Sequence, residues 1–263
     1  MRILSVNAWG GAMFDALAAY LPDIDADVVA LQEVTRTPGL RGWTRFEDRD
    51  RALPQRADLM TDVAGVLPDH EPWFTVSDTG PVVANGIAHR QQFGLALLTR
   101  RSWVRIASRE AFVHGSYVDH HDEWPHSDRP RAAQVARLRG PDGRTVVVGH
   151  VHGLRDAAGK ADTPARRAQA KRLAELVDSV REPGDTVVVC GDLNVLPDSE
   201  TFTILSDLGL TDLVGSADTL TARYTKPVRH ASYLLVSDPA AVRRFEIVTE
   251  PEVSDHRALL VDL

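Results

Sequence analysis

Acidic, amide and imidazole side chains stand where five apolar segments of this 263-residue chain end or begin. They are Asn7 in ILSVNAW, Glu33 in VVALQEV, His150 and His152 in TVVVGHVHG, Asp192 and Asn194 in TVVVCGDLN, and Asp255 and His256 in VSDHRALLVDL. A buried carboxylate costs several kcal/mol unless it is paired, hydrogen-bonded or bound to a metal. The pattern therefore predicts that these side chains converge at one rim of a sheet.

Each of these groups alone has a plainer structural interpretation. Glu33 could cap a following turn, GDLN has the composition of a turn, and SDH could be a turn that enters a strand. In HVH the two-residue period of a strand puts both imidazoles on one face, where a single His is more often a hydrogen-bonded core residue than a ligand. The five groups together, in this order, favour a functional site over five unrelated turns.

The segments that would position these groups are short apolar runs separated by helical patterns. The runs suit strands buried on both faces and lie at Ile3–Val6, Val28–Leu31, Leu95–Leu98, Val146–Val148, Val187–Val189, Tyr233–Val236 and Ala258–Val261. Helical patterns lie at Ala12–Leu21, Arg56–Leu67, Thr163–Val180 and near Ser199–Leu208, and Thr163 suits the N-cap before Pro164. Because strands and helices do not alternate strictly, the sequence predicts α/β layers with some antiparallel pairing.

Composition and charge exclude several classes of protein. Hydrophobic residues make up 43% and charged residues 25% of the chain, which argues against a mainly disordered, collagenous or membrane-spanning protein. A net charge of −7 opposes nucleic-acid coating by bulk charge but not a local basic groove. The single cysteine, Cys190, rules out an internal disulfide. The N-terminal segment lacks the apolar run of a secretory signal, and we expect a cytoplasmic protein without a membrane span.

The order of the motifs resembles the endonuclease/exonuclease/phosphatase superfamily, which has the deoxyribonuclease I-like fold. The resemblance is carried by Asn7 with Trp9, LQEV at 31–34, a His-bearing strand end, GDLN at 191–194 and SDH at 254–256, and more weakly by FGLALLTR at 93–100 and by Arg166 with Gln169. It spans residues 1–263 and implies one catalytic domain. The implied fold is a four-layer α/β sandwich, in which two packed mixed β-sheets are flanked by helices.

The resemblance also implies a chemistry, the hydrolysis of a phosphate ester by in-line attack of an activated water with Mg²⁺, or Mn²⁺, as cofactor. Mg²⁺ prefers oxygen ligands, and the implied ligands are Glu33, Asn7 and Asp255. The implied catalytic residues are Asp192 as the base that orients or deprotonates the water, Asn194 beside it, and His152 and His256 as hydrogen-bond donors to the phosphate.

Two positions depart from the family's pattern. The strand before SDH usually carries an Asp that orients the catalytic His, whereas this chain has Ser232 there. Another carboxylate could fill that place, His256 could act as a neutral imidazole, or activity could be weakened. The phosphate-binding His usually follows Asn-Thr, and in HVHG the Asn place is taken by His150, which could also face the site.

The loop predicted at 35–55 supplies the candidates for substrate contact. It holds the aromatic residues Trp43 and Phe46 among the arginines Arg36, Arg41, Arg45, Arg49 and Arg51. Arginine with aromatic side chains suits phosphate and base contacts, so the predicted substrate-binding residues are Arg36, Arg41 and His150. The alternative is a solvated loop, because nearby acidic residues offset the positive charge. A second long loop is predicted at 108–130, and its segment YVDHHDEWPHSD at 117–128 could bind a second metal, form a lid or be a plain surface loop.

Two other classes of function stay open. His150 and His152 could build a zinc metallohydrolase, although the following Asp-His of metallo-β-lactamase-type sites is absent. Ser232 is compatible with a non-catalytic binding protein that retains the fold. For the predicted enzyme, DNA, RNA, a phospholipid head group and a small phosphoester all stay open as the phosphate-ester partner, and we expect a monomer.

Overall fold

The computed structural model describes residues 1–48 and 52–263, so the expectations for Arg49 and Arg51 lie outside the described residues. Its strands are β1 (Arg2–Asn7), β2 (Val28–Arg36), β3 (Trp43–Glu47), β4 (Ala52–Arg56), β5 (His70–Ala84), β6 (Ile87–Arg100), β7 (Val104–His114), β8 (Val118–Asp119), β9 (Arg131–Arg139), β10 (Thr145–His152), β11 (Thr186–Asp192), β12 (Thr211–Asp212), β13 (Ser232–Val236), β14 (Arg244–Ile247) and β15 (Leu259–Asp262). Its α-helices are α1 (Phe14–Ile24), α2 (Leu59–Val66), α3 (Pro164–Asp178) and α4 (Glu200–Ser206).

The described strands form two sheets. The order in the first sheet is β14-β15-β1-β2-β6-β5-β3-β4, with β8 beside β5, and the order in the second is β12-β13-β11-β10-β9-β7. Each sheet has one parallel pair near its centre, β1 with β2 and β10 with β11. The strands that flank these pairs are antiparallel to them. The prediction of two mixed sheets is confirmed.

Alternation along the central strands explains why each sheet is covered on both faces. In β1, Ile3 belongs to the core that the two sheets share, whereas Leu4 belongs to a second core on the opposite face. Val28 and Val29 of β2 divide in the same way. Successive side chains of a strand point to opposite faces, so a continuous apolar run is what a doubly covered strand needs.

Helices close the outer face of each sheet. Leu17 of α1 and Val63 of α2 pack against the first sheet, and Leu173 and Val177 of α3 pack against the second. The layers therefore run helix, sheet, sheet, helix, which confirms the four-layer sandwich. The predicted N-cap of α3 is also confirmed, because the Thr163 hydroxyl accepts a hydrogen bond from the Arg166 N–H at 3.3 Å.

Both segments predicted as long loops contain strands. The hairpin of β3 and β4 occupies most of 43–56, and β2 runs as far as Arg36. Strand β7 extends into the predicted 108–130 loop as far as His114. The error has a physical cause, since these strands expose many polar side chains and lack the apolar runs of the central strands. Among the described helices, none has the length and the apolar character required to span a bilayer.

Candidate active site

The site forms where the central parallel pairs of both sheets end. Asn7 is paired with Gln32 where the pairing of β1 with β2 ends, and His152 is paired with Asp192 at the end of β10 and β11. Parallel neighbours place their carboxyl ends at the same edge of a sheet. The two sheets are packed so that these edges meet, because the Asn7 amide nitrogen donates to the Asp192 carboxylate at 3.0 Å.

Asp192 lies at the centre of the group and is only 2% exposed. Its Oδ2 accepts from Asn7 and lies 3.7 Å from the Nε2 atoms of both His152 and His256. Its Oδ1 accepts from the Asn194 N–H at 3.1 Å. A buried carboxylate with partners on both oxygens is fixed in one orientation, and the carboxylate and both imidazoles line the same cavity.

Charge and burial oppose each other at Asp192 and His152. Burial on its own raises the pKa of Asp192, but the charges of His256, His152 and Lys160 and the Asn7 hydrogen bond bring it down to about 2. Burial, with the charge of Arg131, lowers the pKa of His152 to about 4, although Asp192 and Glu33 oppose that shift. At neutral pH the site therefore holds an ionised Asp192 beside a neutral His152.

A β-bulge places Glu33 at this edge. The register between β2 and β6 shifts between Leu31 and Val34, and Glu33 has a φ of 55° in the left-handed region. Such a bulge redirects one side chain of the strand, so that Gln32 points between the sheets while Glu33 lines the cavity. The Glu33 carboxylate lies 3.9 Å from the Nε2 atom of His152.

The turn before β15 brings in the last pair, Asp255 and His256. The Ser254 hydroxyl donates to the Asn7 carbonyl at 2.5 Å and ties this turn to β1. Burial, together with the charges of Glu33 and Asp192, raises the pKa of Asp255 to about 6 against the opposing charge of His256.

The Nδ1 atom of His256 lies 3.0 Å from the Ser232 hydroxyl, so Ser232 occupies the place of the family's Asp as a hydrogen-bond partner. Among the described residues, no carboxylate is hydrogen-bonded to Nδ1 of His256. The explanation that another carboxylate takes the place of the family's Asp therefore finds no support.

The backbone of GDLN is shaped by close approach as well as by turn chemistry. A Cβ on Gly191 would lie 1.9 Å from the carbonyl oxygen of Val151, and one on Gly153 would lie 2.2 Å from that of Leu193. Each glycine thus lets the neighbouring strand end come close. The following Asn194 has a φ of 54°, and its side chain donates to the Gly153 carbonyl at 3.4 Å.

Within the described chain, His150 does not line the cavity, and its contact with substrate stays a prediction. It is fully buried between the sheets, with Nε2 2.7 Å from the Gln32 amide nitrogen and Nδ1 3.1 Å from the Gln134 amide oxygen. Because Gln134 uses its nitrogen to donate to Thr75, its oxygen accepts, so His150 carries its proton on Nδ1. Burial lowers the pKa of His150 to about 3, and the ring is a neutral link in a buried hydrogen-bonded chain.

The structure also places Arg36 and Arg41 outside the cavity, so their contact with substrate stays a prediction. The Arg36 guanidinium lies over the ring of Phe74, 5.7 Å from its centroid, and Arg41 is exposed and contacts Asp58 at 3.4 Å. Within the described chain, the cavity lining includes neither arginine. Phe46 of the same segment does line the cavity, since the alternation of β3 turns it inward and leaves Arg45 exposed.

A cavity of about 350 Å³ opens in front of Asp192, and its lining includes both apolar and cationic side chains. The apolar residues include Phe46, Leu53, Pro54 and Phe93, and the cationic residues include Arg129, Arg131, Arg155, Lys160 and Lys226. This size matches sites for small molecules. Of these lining residues, sequence reasoning had considered only Phe46 for substrate contact.

Among the cationic residues that line the cavity, only Arg131 had a signal in the sequence, because it is a charged residue at the start of the apolar stretch RAAQVARL. Arg131 is 4% exposed, and its Nε atom has no hydrogen-bond partner among the described residues. A buried guanidinium with an unused donor is a group that an anion would satisfy.

The chemistry of the acidic side chains fits a divalent cation, although these side chains do not converge on a single point. Within residues 1–48 and 52–263, no group of three or more His, Cys, Asp or Glu side chains could hold a metal ion. Glu33 and Asp255 nevertheless line one cavity, and the charge of Glu33 is among the causes of the raised pKa of Asp255. Asn7 Oδ1 accepts from the Trp9 N–H at 3.0 Å and keeps one acceptor position. Repelling carboxylates in a buried place suit a hard cation.

A zinc site built on His150 and His152 is excluded by the same geometry. Both nitrogens of His150 are engaged between the sheets, whereas His152 stands at the cavity. The alternative of a zinc metallohydrolase built on these two histidines therefore finds no support in the structure.

Comparison with solved structures finds the same fold over nearly the whole chain. The mannosyl-6-phosphatase Bt3783 of Bacteroides thetaiotaomicron VPI-5482 is 15% identical, with a TM-score of 0.67 and 100% of this chain and 98% of that chain covered. The human Nocturnin catalytic domain with bound sulfate is 17% identical, with a TM-score of 0.64 and coverage of 99% and 93%. A humanized D. rerio TDP2 is 13% identical, with a TM-score of 0.66 and coverage of 99% and 97%.

No curated protein sequence matches this chain. The sequence profile of the Endonuclease/Exonuclease/phosphatase family matches residues 4–256, which is nearly the whole chain. The match covers each of the strand ends described above, and the two packed sheets agree with it. The chain therefore belongs to the Endonuclease/Exonuclease/phosphatase family.

Proposed function

We propose that this protein is a divalent-metal-dependent phosphoesterase that hydrolyses a phosphomonoester or phosphodiester by in-line attack of water. One observation carries the proposal: a buried, ionised Asp192 has two imidazoles 3.7 Å from one of its oxygens, at a cavity that Glu33 and Asp255 also line. The reaction needs a carboxylate to hold the water, hydrogen-bond donors for the phosphate oxygens and oxygen ligands for a cation. Asp192, the two imidazoles, and Glu33 with Asp255 match these needs in that order.

Asp192 orients the attacking water. A carboxyl with a pKa of about 2 is a weak base, so it accepts a proton from the water only as the bond to phosphorus forms. Its two oxygens are already held by Asn7 and Asn194, which prevents the carboxylate from rotating away. The neutral His152 donates one hydrogen bond to a phosphate oxygen, and His256, oriented by Ser232, donates another.

Glu33 and Asp255 would hold the cation, and Asn7 would support it through its amide oxygen. We infer Mg²⁺, with Mn²⁺ as a substitute, because all three donors are oxygens. When bound, the cation supplies positive charge that offsets the charge of the phosphate oxygens. Without it, burial, together with the charge of Glu33, keeps the pKa of Asp255 high.

The named neighbours support an oxyanion substrate. One is a mannosyl-6-phosphatase and another is a catalytic domain with bound sulfate. A nucleic acid stays among the candidate substrates, and we infer that the chain acts as one catalytic domain, as a monomer in the cytoplasm. One core cluster from Met1 to Leu263 supports the single domain, because it joins both sheets.

The test is a hydrolysis panel run with Mg²⁺, with Mn²⁺ and with a chelator. It spans DNA, abasic DNA, RNA, sphingomyelin, inositol phosphates and chromogenic mono- and diesters. We expect turnover of at least one ester with metal, its loss with chelator, and a fall of about 10³-fold in Asp192→Asn. Asp198→Asn, an exposed carboxylate six positions on, is the matched control and should retain full activity. Equal turnover by Asp192→Asn and the wild type would exclude the mechanism.

A further inference from the structure

Lys160 places an ammonium group on the wall of the cavity. It belongs to the segment 153–163, which connects β10 to α3 and so follows directly on His152. The side chain is half-buried, although the residues before it, from Ala157 to Gly159, are exposed. A lysine that turns inward from an exposed turn gives up hydration, and such a group needs compensating partners.

The backbone on both sides of Lys160 is held by one buried arginine. Arg166 of α3 is 1% exposed and donates to the carbonyls of Gly159 and Ala161, each at 2.6 Å. A third bond, at 3.3 Å, reaches the Leu154 carbonyl. Because two of these carbonyls belong to the residues immediately before and after Lys160, the arginine fixes the backbone position from which the lysine side chain extends.

Charges of both signs and an aromatic ring surround the ammonium group. Its Nζ donates to the His230 carbonyl at 2.5 Å and lies 5.8 Å from the centroid of the Tyr224 ring, which in turn stands against His256. Burial lowers the pKa of Lys160 and the charges of Lys226 and Arg166 add to that shift, whereas the charges of Asp192 and Asp255 oppose it. An ammonium has three N–H donors, and the His230 carbonyl uses one of them, so donors are available to a ligand in the cavity.

We propose that Lys160 binds a non-bridging oxygen of the substrate's phosphate group and makes the site selective for phosphomonoesters over phosphodiesters. The proposal rests on the proposed function and deepens it. A phosphomonoester carries almost two negative charges near pH 8, whereas a diester carries one. A cation held in a partly dry cavity gains more from the doubly charged ligand, because Coulomb attraction there is less screened than in water.

The test compares two substrates that share a leaving group, p-nitrophenyl phosphate and methyl p-nitrophenyl phosphate, at pH 8 with Mg²⁺. Lys160→Gln removes the charge but keeps an N–H for the His230 carbonyl. We expect its kcat/KM to fall about 30-fold on the monoester, as for a lost charge-assisted hydrogen bond, and only about 3-fold on the diester. Lys160→Arg should restore most of the monoester activity. Lys171→Gln, an exposed lysine of α3, is the matched control.

A binding measurement separates this proposal from the proposed function. Calorimetric titration with inorganic phosphate and Mg²⁺ should show about 10-fold weaker binding to Lys160→Gln than to the wild type or Lys171→Gln. If the wild type hydrolyses no ester of the whole panel but this difference in binding appears, the hydrolytic function fails and the phosphate contact of Lys160 stands. Equal phosphate affinity in all three proteins, no phosphate binding by the wild type, or an unchanged ratio of monoester to diester kcat/KM overturns the role of Lys160.

Discussion

A neutral hydroxyl orients His256 at the centre of the site. Ser232 is buried, and its Oγ lies 3.0 Å from Nδ1 of the ring. The residue can fix the ring plane, but it adds no negative charge beside an imidazolium. The hydrogen bond supports a retained catalytic geometry over a purely binding role. It also makes position 232 the place where the family's usual electrostatics can be restored by one substitution.

We expect Ser232→Asp to keep or raise phosphoesterase activity, because a carboxylate at this place stabilises positive charge on His256 while the phosphate accepts its hydrogen bond. Ser232→Ala is the comparison, and we expect it to lose about 10-fold in kcat, since the imidazole then lacks its orienting partner. Both are measured by steady-state kinetics, with circular dichroism to confirm folding. A large loss of activity in a well-folded Ser232→Asp protein would refute this interpretation of the position.

The buried position of His150 can be tested by substitution. Replacing it with Leu leaves the Gln134 oxygen buried without its partner, whereas the Gln32 nitrogen keeps its contacts with the Ser5 hydroxyl and the Ala30 carbonyl. We expect the free energy of unfolding to fall by about 1–3 kcal/mol, which is the cost of one unsatisfied buried group. The KM of the folded enzyme should not change. Denaturant unfolding and steady-state kinetics check both statements, and a raised KM with unchanged stability would return His150 to the substrate.

At the scale of residues, the sequence indicated which side chains could do chemistry, but it did not indicate whether each one lies in the interior or at the edge of the sheet. The acidic and imidazole groups at strand ends could be found because polar residues interrupt apolar runs there. His150 and His152 share one face of β10, yet the two-residue step between them carries the chain from the interior to the edge of the sheet. Spacing alone holds no information on that depth. Lys160 lies in a segment with no periodicity, so nothing in the sequence placed it at the cavity.

At the scale of elements, the close approach of β10 to β11 requires a glycine, Gly191, which has no Cβ. Gly191→Ala would place a methyl group 1.9 Å from the Val151 carbonyl oxygen. Because backbone cannot yield as a side chain does, we expect a loss of about 3 kcal/mol in unfolding free energy. Gly184→Ala, with nothing within 4 Å and a φ of 90°, is the control and should lose about 1 kcal/mol from left-handed strain alone. Equal losses in thermal or denaturant unfolding would contradict the argument from close approach.

Strands and helices could be predicted only where the sequence of one segment carried a clear pattern by itself. Central strands are indicated by continuous apolar runs, and α3 by its cap and its apolar face. The long hairpin of β5 and β6 could not be recognised, since its outer half exposes Val83 and Ile87 and breaks the alternation. The bulge at Glu33 was equally hidden, because a bulge is a property of two paired strands and the sequence shows one strand at a time.

At the scale of the whole molecule, a buried ion pair links stability to pH. Asp78 is fully buried and receives two hydrogen bonds from Arg129, at 2.7 and 2.8 Å, and one contact from His120 at 3.0 Å. Burial alone would raise the pKa of Asp78, but Arg129 and His120 lower it to about 2. Arg129 itself lies between the rings of Phe93 and Trp124, so the pair supports one wall of the cavity.

We expect the Asp78 carboxylate to contribute about 2 kcal/mol to stability at neutral pH. The pKa of the folded protein is lower than the ordinary value of 3.8, so this contribution is present above about pH 4 and is lost as the pH falls toward 2. Asp78→Asn should therefore be much less stable than the wild type at pH 7, with the gap closing near pH 2–3. Urea unfolding at both pH values measures the gap, and a gap independent of pH would refute the linkage.

The bond between Asn7 and Asp192 joins one sheet to the other. The width of the catalytic gap is consequently set by the side chains that fill the space between the sheets, such as the small side chains of Ala30 and Ala136. The hydrophobic interior thus sets the distance between the catalytic groups that the two sheets carry. A library that varies the size of these distant alanines would adjust the aperture by fractions of an ångström, and turnover could be evolved through residues that never meet a substrate.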